Sequence, residues 1–297
     1  MTATTPSVEP GSALPVDTSE LRRARRETFH ALLRSKTFLV GLFIVGFWVV
    51  CAIFGNLIAP DDPLQTNSSV TLKAPSGAHL FGTDSLGRDI FSRVLVGSRD
   101  IITVALLATI LGTVAGTALG LVMGYFRGIV DEAISRVVEA FFALPIVIVA
   151  LLALTALGPS NITVIVVIGL VFTPLIARTV RSAVLSEREL EYVSAAKLRG
   201  ERAPYILFVE ILPNVLPPVI VEFTVRLGYA IFTVATLSFL GFGIQPPTPD
   251  WGLQIAESYG LIGGGFWWTA LFPALAIATL VVGVNLIADG VQSVLER

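Results

Sequence analysis

Charged residues are scarce in this chain. Only 14% of its 297 residues are charged and 54% are hydrophobic, whereas about a quarter of the residues in an average soluble protein are charged. The few charges are clustered, which leaves uncharged runs of about 20 residues, the length that a helix needs to cross a bilayer. This composition excludes an ordinary soluble domain and predicts an all-α integral membrane protein.

The motifs of the common catalytic and metal sites are also missing. The single cysteine, Cys51, excludes an internal disulfide, and the two histidines, His30 and His79, form no H-E-x-x-H motif or His cluster. There is no G-x-x-x-x-G-K-[ST] loop for nucleotide phosphates and no G-x-S-x-G turn. The net charge of −2 gives no reason to expect nucleic acid as a partner. We therefore expect no catalytic, cofactor-binding or metal-binding residue in this chain.

Six apolar runs are long enough to be transmembrane helices. They lie at about residues 38–58, 101–125, 134–157, 162–179, 215–241 and 266–288. These runs divide the chain into a cytoplasmic polar tail with an interfacial helix (1–36), a first transmembrane helix (37–59), an extracytoplasmic segment (60–99) and a five-helix core (100–297).

The positive charges predict the orientation, because Lys and Arg are enriched in cytoplasmic loops. Most of the 20 Lys and Arg residues fall in the N-terminal tail, after the second span and after the fourth span. The segments on the other side contain only Lys73, Arg88, Arg93 and Arg99. We therefore expect both termini, and the residues between the fourth and fifth spans, in the cytoplasm.

The second span has a glycine at every fourth position, which places these glycines on one helix face. Such a face lets another helix approach closely in lipid. The face could lie against a partner subunit, against a path through the bundle, or against another helix of the same chain. The last interpretation is favoured because small-residue faces are common in helical bundles. The glycines are Gly112, Gly116, Gly120 and Gly124.

Charged residues inside predicted spans are candidates for function. Glu222 and Arg226 are four residues apart in the fifth span and can pair along one helix. Glu139 follows Arg136 in the third span. Each pair has two open interpretations, a contact with a substrate or a structural pair beside a path through the bundle.

Residues 186–214, hereafter the charged segment, separate the fourth and fifth apolar runs. Residues 192–198 can form a short helix with Ala195 and Ala196 as a smooth face, and Gly200 suits its C-terminal turn. Pro213 is expected to break the following helix where the chain re-enters the membrane. Such a helix suits docking into a groove on a soluble partner; the alternative is a solvated loop with helical propensity.

The charged segment resembles the EAA signature of permease subunits of ATP-binding-cassette (ABC) importers. In that family it is the coupling helix, which docks on the ATPase subunit. Ser194 stands where the family commonly has Glu, so the resemblance implies one weaker polar contact to the ATPase. The matching residues are Glu191, Ser194, Ala195, Ala196, Gly200, Ile211 and Pro213.

Three further stretches resemble dipeptide/oligopeptide permeases of the C-subunit type. They are FGTDSLGRDIFSRVLVGSR (81–99), LSFLGFGIQPPTPDWG (237–252) and NLIADGVQSVLER (285–297). The resemblance implies a type I (MetI-like) permease core with six transmembrane helices in the bacterial cytoplasmic membrane. It also implies a heterodimer with a second permease, two ATPase subunits that bind ATP and Mg, and an extracytoplasmic substrate-binding protein.

The expected function is therefore ATP-driven import of short peptides, with ATP hydrolysed on partner chains. Relatives with the same machinery carry nickel, haem or other small solutes, and the sequence does not distinguish these cargoes. An ion-coupled secondary transporter using Glu139, Glu222 and Arg226 is an alternative, but it leaves the charged segment unexplained. A membrane enzyme is a further alternative, and the missing catalytic motifs argue against it.

Overall fold

The computed structural model describes residues 30–143 and 145–295, and these residues are mostly helical. Within them no β-strand forms apart from one isolated bridge between Thr83 and Asp89. Most of the predicted N-terminal tail lies outside the described residues. The main helices are α1 (Lys36–Ile58), α2 (Ile90–Phe126), α3 (Gly128–Phe142), α4 (Ile146–Leu157), α5 (Asn161–Glu187), α6 (Glu191–Leu198), α7 (Leu212–Phe239), α8 (Trp251–Ser258) and α9 (Trp268–Leu295).

Five helical stretches are long and apolar enough to cross a membrane. They are α1, α2, α5, α9 and the continuous stretch Ala203–Phe239, which ends with α7. The bent pair of α3 and α4 makes a sixth if it is counted as one span. The predicted fold class, an all-α membrane protein with several spans, is confirmed.

The third predicted span is not one straight helix. The axes of α3 and α4 differ by 87°, so the helix predicted over residues 134–157 is wrong at its centre. Pro145 provides the reason, because it is the N-cap residue of α4. Proline has no backbone N–H and disfavours a helical conformation in the residue before it.

The second span begins earlier than predicted. α2 starts at Ile90, where the Asp89 carboxylate accepts a hydrogen bond from the backbone N–H of Ser92 (2.8 Å), a common way to cap a helix N-terminus. The predicted span is shorter because the arginines near this end are read in the sequence as flanking charges outside the membrane. Arg93 is nevertheless buried, with its guanidinium 3.8 Å from the Asp84 carboxylate and 3.6 Å from that of Glu257. Opposite charges brought together by folding make its burial possible.

The fifth span also begins earlier, and the break predicted at Pro213 is wrong. Pro213 lies in the first turn of α7, where a proline is tolerated. The preceding residues Ile206–Ile211 form a π-helix, and the N–H of Leu212 bonds to the carbonyl of Leu207, five residues back. This wider turn carries the chain from the charged segment into α7 without interruption.

The four glycines of α2 pack against α5 of the same chain. A Cβ atom at Gly112 would lie 2.9 Å from the carbonyl oxygen of Gly169, and one at Gly120 would lie 2.7 Å from that of Ala177. Ordinary contacts between carbon atoms are about 3.5–4.0 Å. Gly116 and Gly124 meet α5 equally closely. The glycine face therefore lets α2 and α5 approach each other along most of the bundle.

The bundle has two distinct ends. At the α8 end, the indole N–H of Trp251 donates to the carbonyl of Val94 (2.8 Å), and that of Trp268 lies 3.3 Å from the carbonyl of Thr83. These bonds join α8 to the first turns of α2 and α9 to the residues that lead into α2. At the opposite, α6 end, α5 runs into the charged segment, α1 begins and α9 finishes, with Gly290 against Phe38.

Candidate functional site

The charged segment folds as a short helix with a sharp C-terminal turn, as predicted. α6 has the acidic Glu191 in its first turn and the basic Lys197 in its last, which complements the helix dipole. Gly200 follows with a φ of +78°. Its N–H bonds to the carbonyl of Lys197 (3.0 Å), and the next N–H bonds to that of Ala196 (3.2 Å). This pattern of two bonds is a Schellman motif, for which glycine is the preferred residue.

The two alanines of α6 do not share one exposed face. Ala195 is exposed, whereas Ala196 is 0% exposed and lies in the core together with Val193. Residues three apart lie on the same side of a helix, and this side of α6 packs against the π-helix. The predicted smooth surface of Ala195 and Ala196 is therefore corrected: Ala195 points outward and Ala196 holds α6 to its own chain.

Leucines on the outer side of α6 were missed by the sequence analysis. Leu198 is 90% exposed, and Leu190, just before α6, is about half exposed. Ser194 lies midway between them and is also exposed, so the three residues follow one helix face at i, i+4 and i+8. That spacing in the sequence could have identified the face. An exposed leucine beside Ala195 offers apolar area that a docked partner would remove from water.

A hydrogen-bond network fastens α6 to both helices that it connects. The Tyr192 hydroxyl donates to the Glu187 carboxylate at the end of α5 (2.7 Å) and accepts from the Asn214 amide at the start of α7 (3.1 Å). The Asn214 amide also donates to the carbonyl of Glu210 (2.8 Å). Burial, together with the bond to Glu187, raises the pKa of Tyr192 to about 12. The phenol therefore remains protonated and keeps this link at neutral pH.

A second set of contacts fastens the charged segment to the end of α2. The Arg188 guanidinium donates to the carbonyl of Tyr125. The Tyr125 ring also lies 5.7 Å from the ammonium of Lys197, within the range of a cation–π contact. Next to them, Arg127 pairs with Glu189 (2.7 Å). Displacement of α6 would therefore act on α2, α5 and α7 together.

The last two residues of the predicted docking set have different surroundings. Ile211 ends the π-helix and is fully buried, whereas Pro213 is exposed. Ile211 therefore supports the base on which α6 rests and has no surface to offer a partner.

The charges predicted within the spans form two separate pairs. In α7, the guanidinium of Arg226 donates to the carboxylate of Glu222 (2.6 Å) and lies 5.6 Å from the ring of Tyr229. In α3, Glu139 is exposed and lies 3.6 Å from the guanidinium of Arg136. The side chains of the pair in α7 are less exposed to solvent than those of the pair in α3.

One histidine does not stand alone, contrary to the sequence analysis. The Nδ1 atom of His79 lies 3.0 Å from the Asp89 carboxylate and 3.9 Å from that of Asp61. These residues lie at the α8 end, far from the charged segment.

A bundle of membrane-spanning helices that presents a short, firmly held helix at one end has the architecture of a membrane permease. The family described as the binding-protein-dependent transport system inner membrane component matches residues 116–297. The N-terminal TM domain of oligopeptide transport permease C matches residues 24–75. The chain belongs to this family of ABC importer permeases, and membership implies a membrane location, a separate ATPase and a binding protein.

Curated relatives match almost the whole chain. The dipeptide transport system permease protein DppC of Alkalihalophilus pseudofirmus is 39% identical over 288 residues, covering 97% of this chain and 94% of the relative. DppC of Escherichia coli K12 is 39% identical over 277 residues, covering 91% and 92%. Among solved structures, the inward-facing MetNI methionine ABC transporter has the same fold, with a TM-score of 0.55 at 22% identity, over 69% of this chain and 95% of that one.

Proposed function

We propose that this chain is the permease subunit of an ATP-driven importer of dipeptides and other short peptides in the bacterial cytoplasmic membrane. The observation that carries the proposal is α6, whose outer face is exposed while its inner face and flanks are fixed to three helices of the bundle. The names of curated relatives, which refer to dipeptide or peptide transport, support the cargo.

The proposed orientation has α6 and both termini in the cytoplasm. It is supported by the positive charges of the charged segment, which include Arg188, Lys197, Arg199 and Arg202. The start of α1 and the end of α9 lie at the same end of the bundle as α6. The residues between α1 and α2, together with α8, then face the binding protein.

ATP and Mg are expected on two partner ATPase subunits, since this chain has no phosphate-binding loop. A second permease would complete the path as a heterodimer. When the ATPases close, they would move α6 as a rigid unit. The Tyr192 network would pass that movement to α5 and α7, and the contacts of Arg188 and Lys197 with Tyr125 would pass it to α2. This arrangement can switch the bundle between inward- and outward-facing states.

Uptake by the reconstituted transporter tests the proposal. Proteoliposomes would hold this chain, its second permease and both ATPases, with the binding protein and a radiolabelled dipeptide outside. We expect uptake with ATP inside and none with a non-hydrolysable ATP analogue. Equal uptake in both conditions would overturn the proposal.

The same preparation separates the alternatives. Flux through this chain alone, driven by a proton or sodium gradient, would favour a secondary transporter that uses Glu139, Glu222 and Arg226. ATP-dependent uptake of nickel or haem without uptake of dipeptides would retain the importer and reject the peptide cargo.

A further inference from the structure

Three potential metal ligands converge at the α8 end of the bundle. Asp61 follows the end of α1, His79 lies in the connection to α2, and Asp89 caps α2. One ligand atom from each residue lies within 4.8 Å of the others. We infer that these three side chains form a zinc-binding site.

The spacing of the ligand atoms fits zinc. Ligand atoms about 2.0–2.2 Å from a tetrahedral zinc lie roughly 3.4 Å from one another. The distances from His79 Nδ1 are 3.0 Å to Asp89 Oδ1 and 3.9 Å to Asp61 Oδ2, on either side of that value. The two carboxylate oxygens lie within 4.8 Å of each other, so side-chain rotations that close this gap would bring the three ligand atoms around one ion.

The charges at this site call for a cation. The side chain of Asp89 is only 2% exposed, and a buried carboxylate is costly unless it is paired. Among the described residues, His79 is the only ion-pair partner of Asp89 and of Asp61. Two carboxylates thus share one imidazole. A divalent ion would balance both carboxylates.

Ser92 holds both carboxylate residues in place. Its backbone N–H and its hydroxyl donate to Asp89 Oδ2 (2.8 and 2.9 Å), which leaves Oδ1 for the metal. The same hydroxyl accepts the backbone N–H of Asp61 (3.2 Å). Groups that orient metal ligands in this way are typical of protein metal sites.

A polar cavity gives an ion access to the cluster. It has a volume of about 180 Å³ and is also lined by Asp62, Gln65 and Asn67. A water molecule or an amide oxygen can therefore complete a fourth ligand position. An imidazole together with carboxylates suits zinc, whereas calcium and magnesium prefer sites made of oxygen ligands alone.

Metal binding would tie the end of α1 to the cap of α2 through the connecting segment. Such a link would fix the α8 end of the bundle, which faces the binding protein in the proposed orientation. The site itself depends only on Asp61, His79 and Asp89, so it can exist whatever the chain transports.

Zinc titration of the full-length chain in detergent tests the inference. After removal of metals with a chelator, isothermal titration with zinc chloride should give one ion per chain. His79→Gln and Asp61→Asn should each weaken binding by about 100-fold or more. Asp62→Asn is the matched control, because Asp62 lines the same cavity but is not one of the three ligands. The affinity of this variant for zinc should stay within about threefold of that of the wild type.

Cobalt substitution gives a readout that needs no variant. Cobalt bound to the wild-type chain should show the intense visible absorption of a tetrahedral ion, and zinc should abolish it. The inference is overturned if the wild type binds no stoichiometric zinc, if His79→Gln and Asp61→Asn bind zinc as the wild type does, or if calcium displaces zinc at equal concentration.

Discussion

Replacing Leu198 by alanine should weaken binding of the partner ATPase and leave the helical bundle intact. The Leu198 side chain is 90% exposed, so its truncation creates no cavity within the chain. Docking would bury it, and the variant would lose that burial. Leucine and alanine are both good helix formers, so α6 itself should persist.

The size of the effect follows from the buried area. Complete burial of a leucine side chain is worth about 1.5–3 kcal/mol. Truncation to alanine removes most of that side chain, and we expect a loss of about 2 kcal/mol. Since about 1.4 kcal/mol corresponds to a factor of ten in affinity, Kd for the ATPase should rise roughly 30-fold.

The assay is a binding titration of fluorescently labelled ATPase against the permease heterodimer in nanodiscs. Leu157→Ala is the matched control, because Leu157 ends α4 at the α8 end of the bundle and is 68% exposed. Its Kd should equal that of the wild type. The reasoning is refuted if Leu198→Ala and Leu157→Ala bind the ATPase equally well while both remain folded.

Two further predictions concern stability. Gly120→Ala places a Cβ atom 2.7 Å from the Ala177 carbonyl oxygen, whereas Gly46→Ala meets no atom within 4 Å. In mixed micelles, the unfolding free energy of Gly120→Ala should therefore be about 1–3 kcal/mol below that of Gly46→Ala. Equal values for the two variants would contradict the close packing of α2 on α5. Burial raises the pKa of Asp250 from 3.8 to about 6, so the protonated carboxyl stabilises the fold and this contribution is lost as pH rises through 6. The unfolding free energy should fall by about 2 kcal/mol from this group between pH 4 and pH 7. Asp250→Asn keeps the oxygen that accepts from the Leu253 N–H (2.9 Å) and should remove this slope, and a persisting slope would contradict the assignment.

Apolar runs predict the helices well where their flanks are polar. α1 and α9 begin within a few residues of the predicted positions. α2 is longer than predicted because Arg93 counts as a flanking charge in the sequence, whereas the fold buries it between Asp84 and Glu257. Glu257 is distant in the sequence, so no local pattern indicates that the charge is paired.

The candidate site also has features that the sequence predicts and features that depend on contacts distant in the sequence. The turn at Gly200 is local, and the sequence predicts it. The direction of Ala196 depends on the π-helix against which α6 packs, and π-helices have no simple periodic signal. The approach of His79 to Asp61 and Asp89 arises in a connection without regular structure. Sequence periodicity therefore gives no indication of it.

Cross-linking from α6 tests most directly whether the chain receives its driving energy there. Cys51 is the single cysteine and is buried, so Cys51→Ser provides a background for one new thiol. Ala195→Cys in that background, labelled with benzophenone and irradiated in the assembled transporter, should form an adduct with the ATPase subunit. Leu157→Cys, treated in the same way, should form none. An intact, transporting complex in which position 195 links to the binding protein, or fails to link to the ATPase, would contradict the account.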